Sequence, residues 1–347
     1  MEEEIRFEVR GHLGIVILNR PKALNALTHD MCRKLDVKLK TWANDASIHA
    51  VVIEGEGEKA FCAGGDIRAL YDLGTAGDPT ILDFYRDEYH LNSRIAHYKK
   101  PYIALIDGIV MGGGVGVSVH GSHRIVGDRT LFAMPETGIG LFPDVGGSYF
   151  LPRCPGKIGM YLALTGARLK AADLVYIGVA TTYVPSDRMQ DLVAALAASP
   201  IACKVDSVIK SFAKDPGSPP LAAHRDVIDR CFAGDSVEAI LAALQVESSE
   251  WALKTRDILL TKSPTSLKIT YRQIVEGGTK DFDDCMRMEY RMVNTVAKGV
   301  DFFEGVRALI IDKDNQPKWQ PADLKGVKAA DVEAYFAPLP AGDLEFN

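Results

Sequence analysis

Between residues 103 and 150 the chain concentrates groups suited to acyl chemistry. Three consecutive glycines, Gly112-Gly113-Gly114, follow an apolar run at 102–106, and a second small-residue turn, Cys62-Ala63-Gly64-Gly65, precedes Asp66. Glycine weakens regular structure, so it belongs where a backbone bends sharply or another group comes very close. Such turns leave main-chain N–H groups pointing outward, and two of them converging on one oxygen make an oxyanion hole. Two acids complete the set: Glu136 after Met134-Pro135, and Asp144 after Phe142-Pro143, among Phe132, Ile139 and Leu141. A lone acid beside a proline is usually a helix cap. Two acids in apolar company are harder to dismiss, because burying an unpaired carboxylate costs free energy. The same surroundings raise a carboxyl pKa toward the range useful to a general base at neutral pH.

Other glycine motifs fail on spacing. A dinucleotide fingerprint would need glycine where Val117 or Val119 stands, no Lys-Ser/Thr follows to make a phosphate loop, and around Ser118 a nucleophile elbow is spoiled by His120. The eight histidines form no ligand pair, and none is assigned a role.

The elements that must position these groups can be read in order. Runs at 5–9 and 13–18 form a hairpin, Thr28 caps an amphipathic helix to about residue 44, and 50–54 is a strand. Asp66 is placed to cap the next helix, and residues 78–99 form a longer one carrying Glu88. The strand–glycine turn–helix pattern occurs at 50–73 and again at 102–120, which predicts a repeated strand–strand–helix architecture. Short strands at 123–126 and 131–133 follow, and the chain then turns helical. A boundary is expected near Ser199-Pro200, giving a core over 1–199 and a helical C-terminal region over 200–347.

Composition sets the outer limits. With 47% hydrophobic residues, 25% charged residues and a net charge of −6, the sequence fits a soluble globular protein and offers no basic face for nucleic acid. Six cysteines stand singly without a CxxC pair, which argues against a metal site or disulfide framework and for free thiols in a reducing compartment. The most apolar stretch, near 103–119, is broken by Asp107 and five glycines, so no membrane span is expected. The acidic MEEEIRF start lacks the basic character of a presequence, which gives a cytoplasmic expectation.

The segments LNRPKALNAL (18–27), AFCAGGDIRAL (60–70), IDGIVMGGGVGVSVHGSHRI (106–125) and FAMPETGIGLFPDVGG (132–147) resemble the enoyl-CoA hydratase/isomerase (crotonase) superfamily over about residues 5–200. The resemblance implies an α/β crotonase-like spiral of ββα repeats with a helical C-terminal region. It also implies an acyl-CoA thioester as substrate, its adenine near Lys22-Ala23, with Gly64, Gly65 and Asp66 among the contacts. The oxyanion donors it implies are the N–H groups of Ala63 and Gly113. Hydratases of the superfamily resemble this chain at Glu136 but carry a second catalytic glutamate where Gly116 stands. Here the second acid is Asp144, in GLFPDVGG, a pattern similar to the branch that hydrolyses short 3-hydroxyacyl-CoA thioesters, 3-hydroxyisobutyryl-CoA above all. That likeness makes Glu136 and Asp144 the catalytic acids and adds Glu88, with Gly113, to the substrate contacts. Glu136 is then a nucleophile forming an anhydride or a base activating water. CoA enters as part of the substrate, with no separate cofactor and no metal. A hydratase or isomerase using Glu136 alone is the alternative enzyme, and a non-catalytic acyl-CoA-binding scaffold is the alternative class. Members of the superfamily assemble through C-terminal helices, whereas a region as long as 200–347 can instead fold back on its own core.

Overall fold

The computed structural model describes residues 3–199 and 204–346, so the expected boundary at Pro200 and Cys203 lie outside the described residues. Two units divide the chain, and they interleave along it. One contains residues 1–65, 90–133 and 168–222, and the other 66–89, 134–167 and 223–347. A single cut at 199/200 therefore does not separate them, because the chain leaves the sheets after residue 65 and again after 133, returning at 90 and 168.

The first unit is built on two sheets. β1 (Ile5–Arg10) and β2 (Leu13–Leu18) form the expected antiparallel hairpin. β2 then continues in parallel through β3 (Ala50–Gly55), β5 (Tyr102–Ile106), β7 (His123–Val126) and β9 (Thr182–Tyr183). Every residue of β2 and β5 is buried, as expected of strands covered on both faces. Alternate residues Leu13, Ile15, Ile17, Val52, Ile103, Leu105 and Ile125 share one core with Leu192, Val193 and Leu196 of the Met189–Ala198 helix.

β4 (Ala60–Cys62), β6 (Ile109–Met111) and β8 (Leu131–Ala133) make a second, parallel sheet. The pairs β3–β4, β5–β6 and β7–β8 each give one strand to the large sheet and one to the small. The first two pairs run on through a glycine turn into a helix, Ile67–Thr75 or Gly113–Gly116. This is the repeated strand–strand–helix pattern expected from the sequence. β4 and β6, three residues each, are too short to show a period of two and were not expected as strands.

The second unit is helical apart from its turns. Its Ile158–Thr165 helix is buried at every position and packs against Pro264–Gly277. Phe282–Val296 and the first half of Ile81–Ala96, as far as Tyr89, carry apolar stripes into the same unit.

Candidate active site

In the first unit β4 and β6 are parallel neighbours, so the glycine turns at their C-terminal ends lie side by side. Glycine is required there by space and by backbone. Gly64 has φ +119°, and a Cβ on it would sit 3.9 Å from the Gly113 nitrogen; a Cβ on Gly114 would meet the Cys62 carbonyl oxygen at 2.2 Å. The segment 20–27 pins the first turn. Ala63 N–H donates to the Leu24 carbonyl at 3.0 Å, and Leu27 N–H donates to the Gly64 carbonyl at 2.8 Å. Asn25, buried with φ +57°, accepts from Arg20 N–H at 2.9 Å and donates to the carbonyls of Glu56 (3.0 Å) and Ala60 (2.8 Å).

These bonds correct one expectation. The Ala63 N–H is committed to Leu24, so it is not a free donor. A trans peptide points its N–H opposite to its C=O. With the Gly64 carbonyl turned toward Leu27, the Gly65 N–H faces away from that loop, and no acceptor among the described residues meets it. In the second turn the Gly112 carbonyl accepts from Val115 at 2.8 Å and Gly116 at 3.2 Å, leaving the Gly113 N–H likewise outward. The outward N–H groups are those of Gly65 and Gly113, the first of them two positions on from Ala63, the residue expected in that turn. Asp66 caps the Ile67–Thr75 helix by accepting from Ala69 N–H at 3.3 Å.

The acids gather in the second unit. Glu136 opens the 3-10 turn Glu136–Ile139, Asp144 lies in the following loop and Glu88 projects from Ile81–Ala96; each is at most 5% exposed. Gln273 Nε2 donates to the Pro143 carbonyl at 2.6 Å, holding the loop next to Asp144. Tyr89 O–H donates to Asp144 Oδ2 at 2.9 Å. Glu88 Oε1, Glu136 Oε2 and the Tyr85 hydroxyl are buried without a partner among the described residues. Buried polar atoms left unpaired call for an explanation, and a ligand's polar groups are one.

Burial shifts every acid in this cluster upward, and repulsion from Asp144 adds to it at Glu136 and Glu88. Burial pushes Asp144 to about 7, against the Tyr89 hydrogen bond. Glu136 is raised well above the usual carboxyl range by burial and by Asp144, with the half-buried Lys262 ammonium opposing. Glu88 is raised by burial, then by Asp144 and Glu289. Asp144 therefore exchanges its proton near neutral pH, as acyl transfer with general acid–base help requires.

Glu289, Tyr85 and Tyr89 escaped the sequence reading. Glu289 is fully buried and accepts from the N–H groups of Gly146 (2.9 Å) and Ser148 (3.0 Å) and from the Ser148 hydroxyl. A signal was present. In Phe282–Val296 the buried stripe runs Phe282, Cys285, Met286, Glu289, Met292, Val293 and Val296, so the acid sits where an apolar residue belongs.

Twin glycine turns in the first unit and buried acids in the second each suit acyl-CoA chemistry, and the comparisons specify the class. The Enoyl-CoA hydratase/isomerase family model matches residues 13–336, and the chain belongs to that family. Among individual relatives, it is 52% identical over 342 residues to the 3-hydroxyisobutyryl-CoA hydrolase, mitochondrial, of Xenopus tropicalis, covering 96% of this chain and 89% of that one. It is 50% identical to the Rattus norvegicus protein of the same description, over 99% and 91% of the two chains. A crystal structure described as a carnitinyl-CoA dehydratase from Mycobacterium thermoresistibile matches with TM-score 0.94 and 43% identity, covering 98% of each chain. The crotonase fold read from the motifs is thus the fold of this protein.

Proposed function

We propose that the protein hydrolyses 3-hydroxyisobutyryl-CoA to 3-hydroxyisobutyrate and CoA, a step of valine catabolism. The observation that carries this reading is the buried acid cluster: Glu136 Oε2 has no partner among the described residues, and Asp144, lifted to about 7, stands in the same unit. Relatives about 50% identical and described as hydrolases of this thioester support the substrate.

The N–H groups of Gly65 and Gly113 polarise the thioester carbonyl and stabilise the tetrahedral oxyanion. Glu136 supplies the attacking electron pair, through its own oxygen or through a water it deprotonates. The acyl–sulfur bond breaks, the thiolate takes up a proton to leave as CoA, and water's oxygen ends in a carboxylate. Glu88 and Asp144 receive the 3-hydroxyl and hold the proton. Lys22, exposed on the Pro21–Ala23 turn, lies in the segment tied to the 63–65 turn and suits the adenine end of CoA. CoA belongs to the substrate, and no further cofactor enters the scheme.

The dehydratase description of the 43% identical structure favours a second reading, reversible loss of water from a 3-hydroxyacyl-CoA. Gly116, where hydratases carry their second glutamate, opposes it. The test is thiol release from 3-hydroxyisobutyryl-CoA beside loss of the double bond in crotonyl-CoA. Thiol release alone is expected; loss of the double bond without thiol release overturns the hydrolase.

We also propose a cytoplasmic enzyme. Buried free thiols at Cys154, Cys231 and Cys285 fit a reducing compartment, and none of the helices among the described residues is long and apolar enough to cross a membrane. The relatives carry "mitochondrial" in their descriptions, so fractionation of the native cell decides the compartment. A homo-oligomer is proposed on family grounds and is tested by light scattering.

A further inference from the structure

The buried carboxyl of Glu289 has no part in the chemistry above, yet it is held by three donors. Around it the backbone is unusual. Val145, a β-branched residue 1% exposed, has φ +50°, and Gly146 has φ +87°. Positive φ at a buried valine is an outlier that persists only where its surroundings impose it. Consecutive residues of this kind turn successive N–H groups toward one point, forming a nest that favours an anion. Here the nest is filled from within the chain: the Gly146 and Ser148 N–H groups and the Ser148 hydroxyl all converge on the oxygens of the Glu289 carboxyl group. Asp144 is the first residue of this turn, its carbonyl accepting from Gly147 N–H at 2.8 Å.

We infer that Glu289 is a positioning residue, which fixes the 144–148 turn through its nest and thereby sets the Asp144 carboxylate against Tyr89. The inference rests on the reading of Asp144 as a working acid. Gln273 at the Pro143 carbonyl braces the other side of Asp144, so the loop is tied on both flanks by buried side chains of the C-terminal helices.

The experiment compares wild type, Glu289→Gln and Ser148→Ala. An amide at 289 turns one NH2 toward a nest of donors, so the turn loses its hold while side-chain volume is kept. For Glu289→Gln the expected result is a cooperative melt, kcat lower by about 100-fold and KM within about threefold. Ser148→Ala, which removes one of the three bonds, lowers kcat by about fivefold. A readout independent of substrate accompanies the kinetics. In protein labelled with 13C at aspartate carboxyls, the resonance lost in Asp144→Asn is expected to move in Glu289→Gln while the other aspartates stay in place. An unchanged Asp144 resonance with kcat within about threefold of wild type overturns the inference. So does movement of all the aspartate resonances together, which would mark a merely structural role. Should Glu289→Gln fail to fold, Ser148→Ala decides by the same two readouts. If wild type itself releases no thiol, the hydrolase reading falls, and the resonance still decides the positioning role.

Discussion

The two halves of the proposed chemistry are built in opposite ways. The donors in the first unit are main-chain N–H groups in turns held by hydrogen bonds to neighbouring loops, with glycine imposed at Gly64 by its positive φ and at Gly114 by the Cys62 carbonyl. The acids in the second unit are side chains raised in pKa by burial, Glu88 and Glu136 also by the neighbouring Asp144. Backbone donors cost little to preorganise and cannot be deleted by ordinary substitution. Buried acids cost folding free energy, which remains stored where the reaction uses it. The donor half is therefore robust, whereas the acid half is the part in which stability and function conflict.

Variants break this comparison at different depths. The largest effect is expected for Asp144→Asn, which keeps shape and removes the proton carrier: kcat for thiol release falls by about 10²–10⁴. In the donor half, Gly113→Pro removes one N–H at a helix N-terminal position that tolerates proline. It is expected to lower kcat by about 10²–10³ while a melt shows the fold intact. Equal activity in this variant would remove Gly113 from the donor pair.

Asn25→Ala tests the scaffold of the donor half. The buried Ala60 carbonyl, the half-buried Glu56 carbonyl and the Arg20 N–H lose their partner. A stability loss of about 2–4 kcal/mol by urea denaturation is expected, with KM rising more than kcat falls. The smallest effect concerns Glu88. Its pKa is raised in the folded state, so its contribution to stability is intact below the unfolded carboxyl range and is lost as pH rises through the folded value. Glu88→Gln stays neutral. Its Tm is expected to match wild type at pH 4 and to exceed it by about 2–4 °C at pH 8, measured by calorimetry. A gain equal at both pH values would mean that packing, not ionisation, is responsible.

Much of this was legible before the fold was known. The hairpin, the twin glycine turns and the acids Glu136 and Asp144 each have a local cause: strand alternation, small residues at a crowded turn, acids set among apolar neighbours. What was not legible depends on distance along the chain. The donor in the first turn was carried onto Ala63 by resemblance, and nothing local reveals that the Leu24 carbonyl, far earlier in the chain, takes that N–H. The nest that Glu289 fills belongs to a turn 141 to 143 residues away. Even so, Glu88 and Glu289 share a mark that sequence does carry, an acid on the buried stripe of an amphipathic helix. Interleaving of the two units is the least local property of all and left no trace in composition.

The central claim is that a buried glutamate performs thioester hydrolysis with help from main-chain donors, and one measurement tests it directly. Thiol release from 3-hydroxyisobutyryl-CoA is followed for wild type and Glu136→Gln, with CoA binding measured on both. The account predicts rapid release by wild type, a loss of about 10³-fold or more in the variant, and unchanged CoA affinity. Release by Glu136→Gln at the wild-type rate would contradict it.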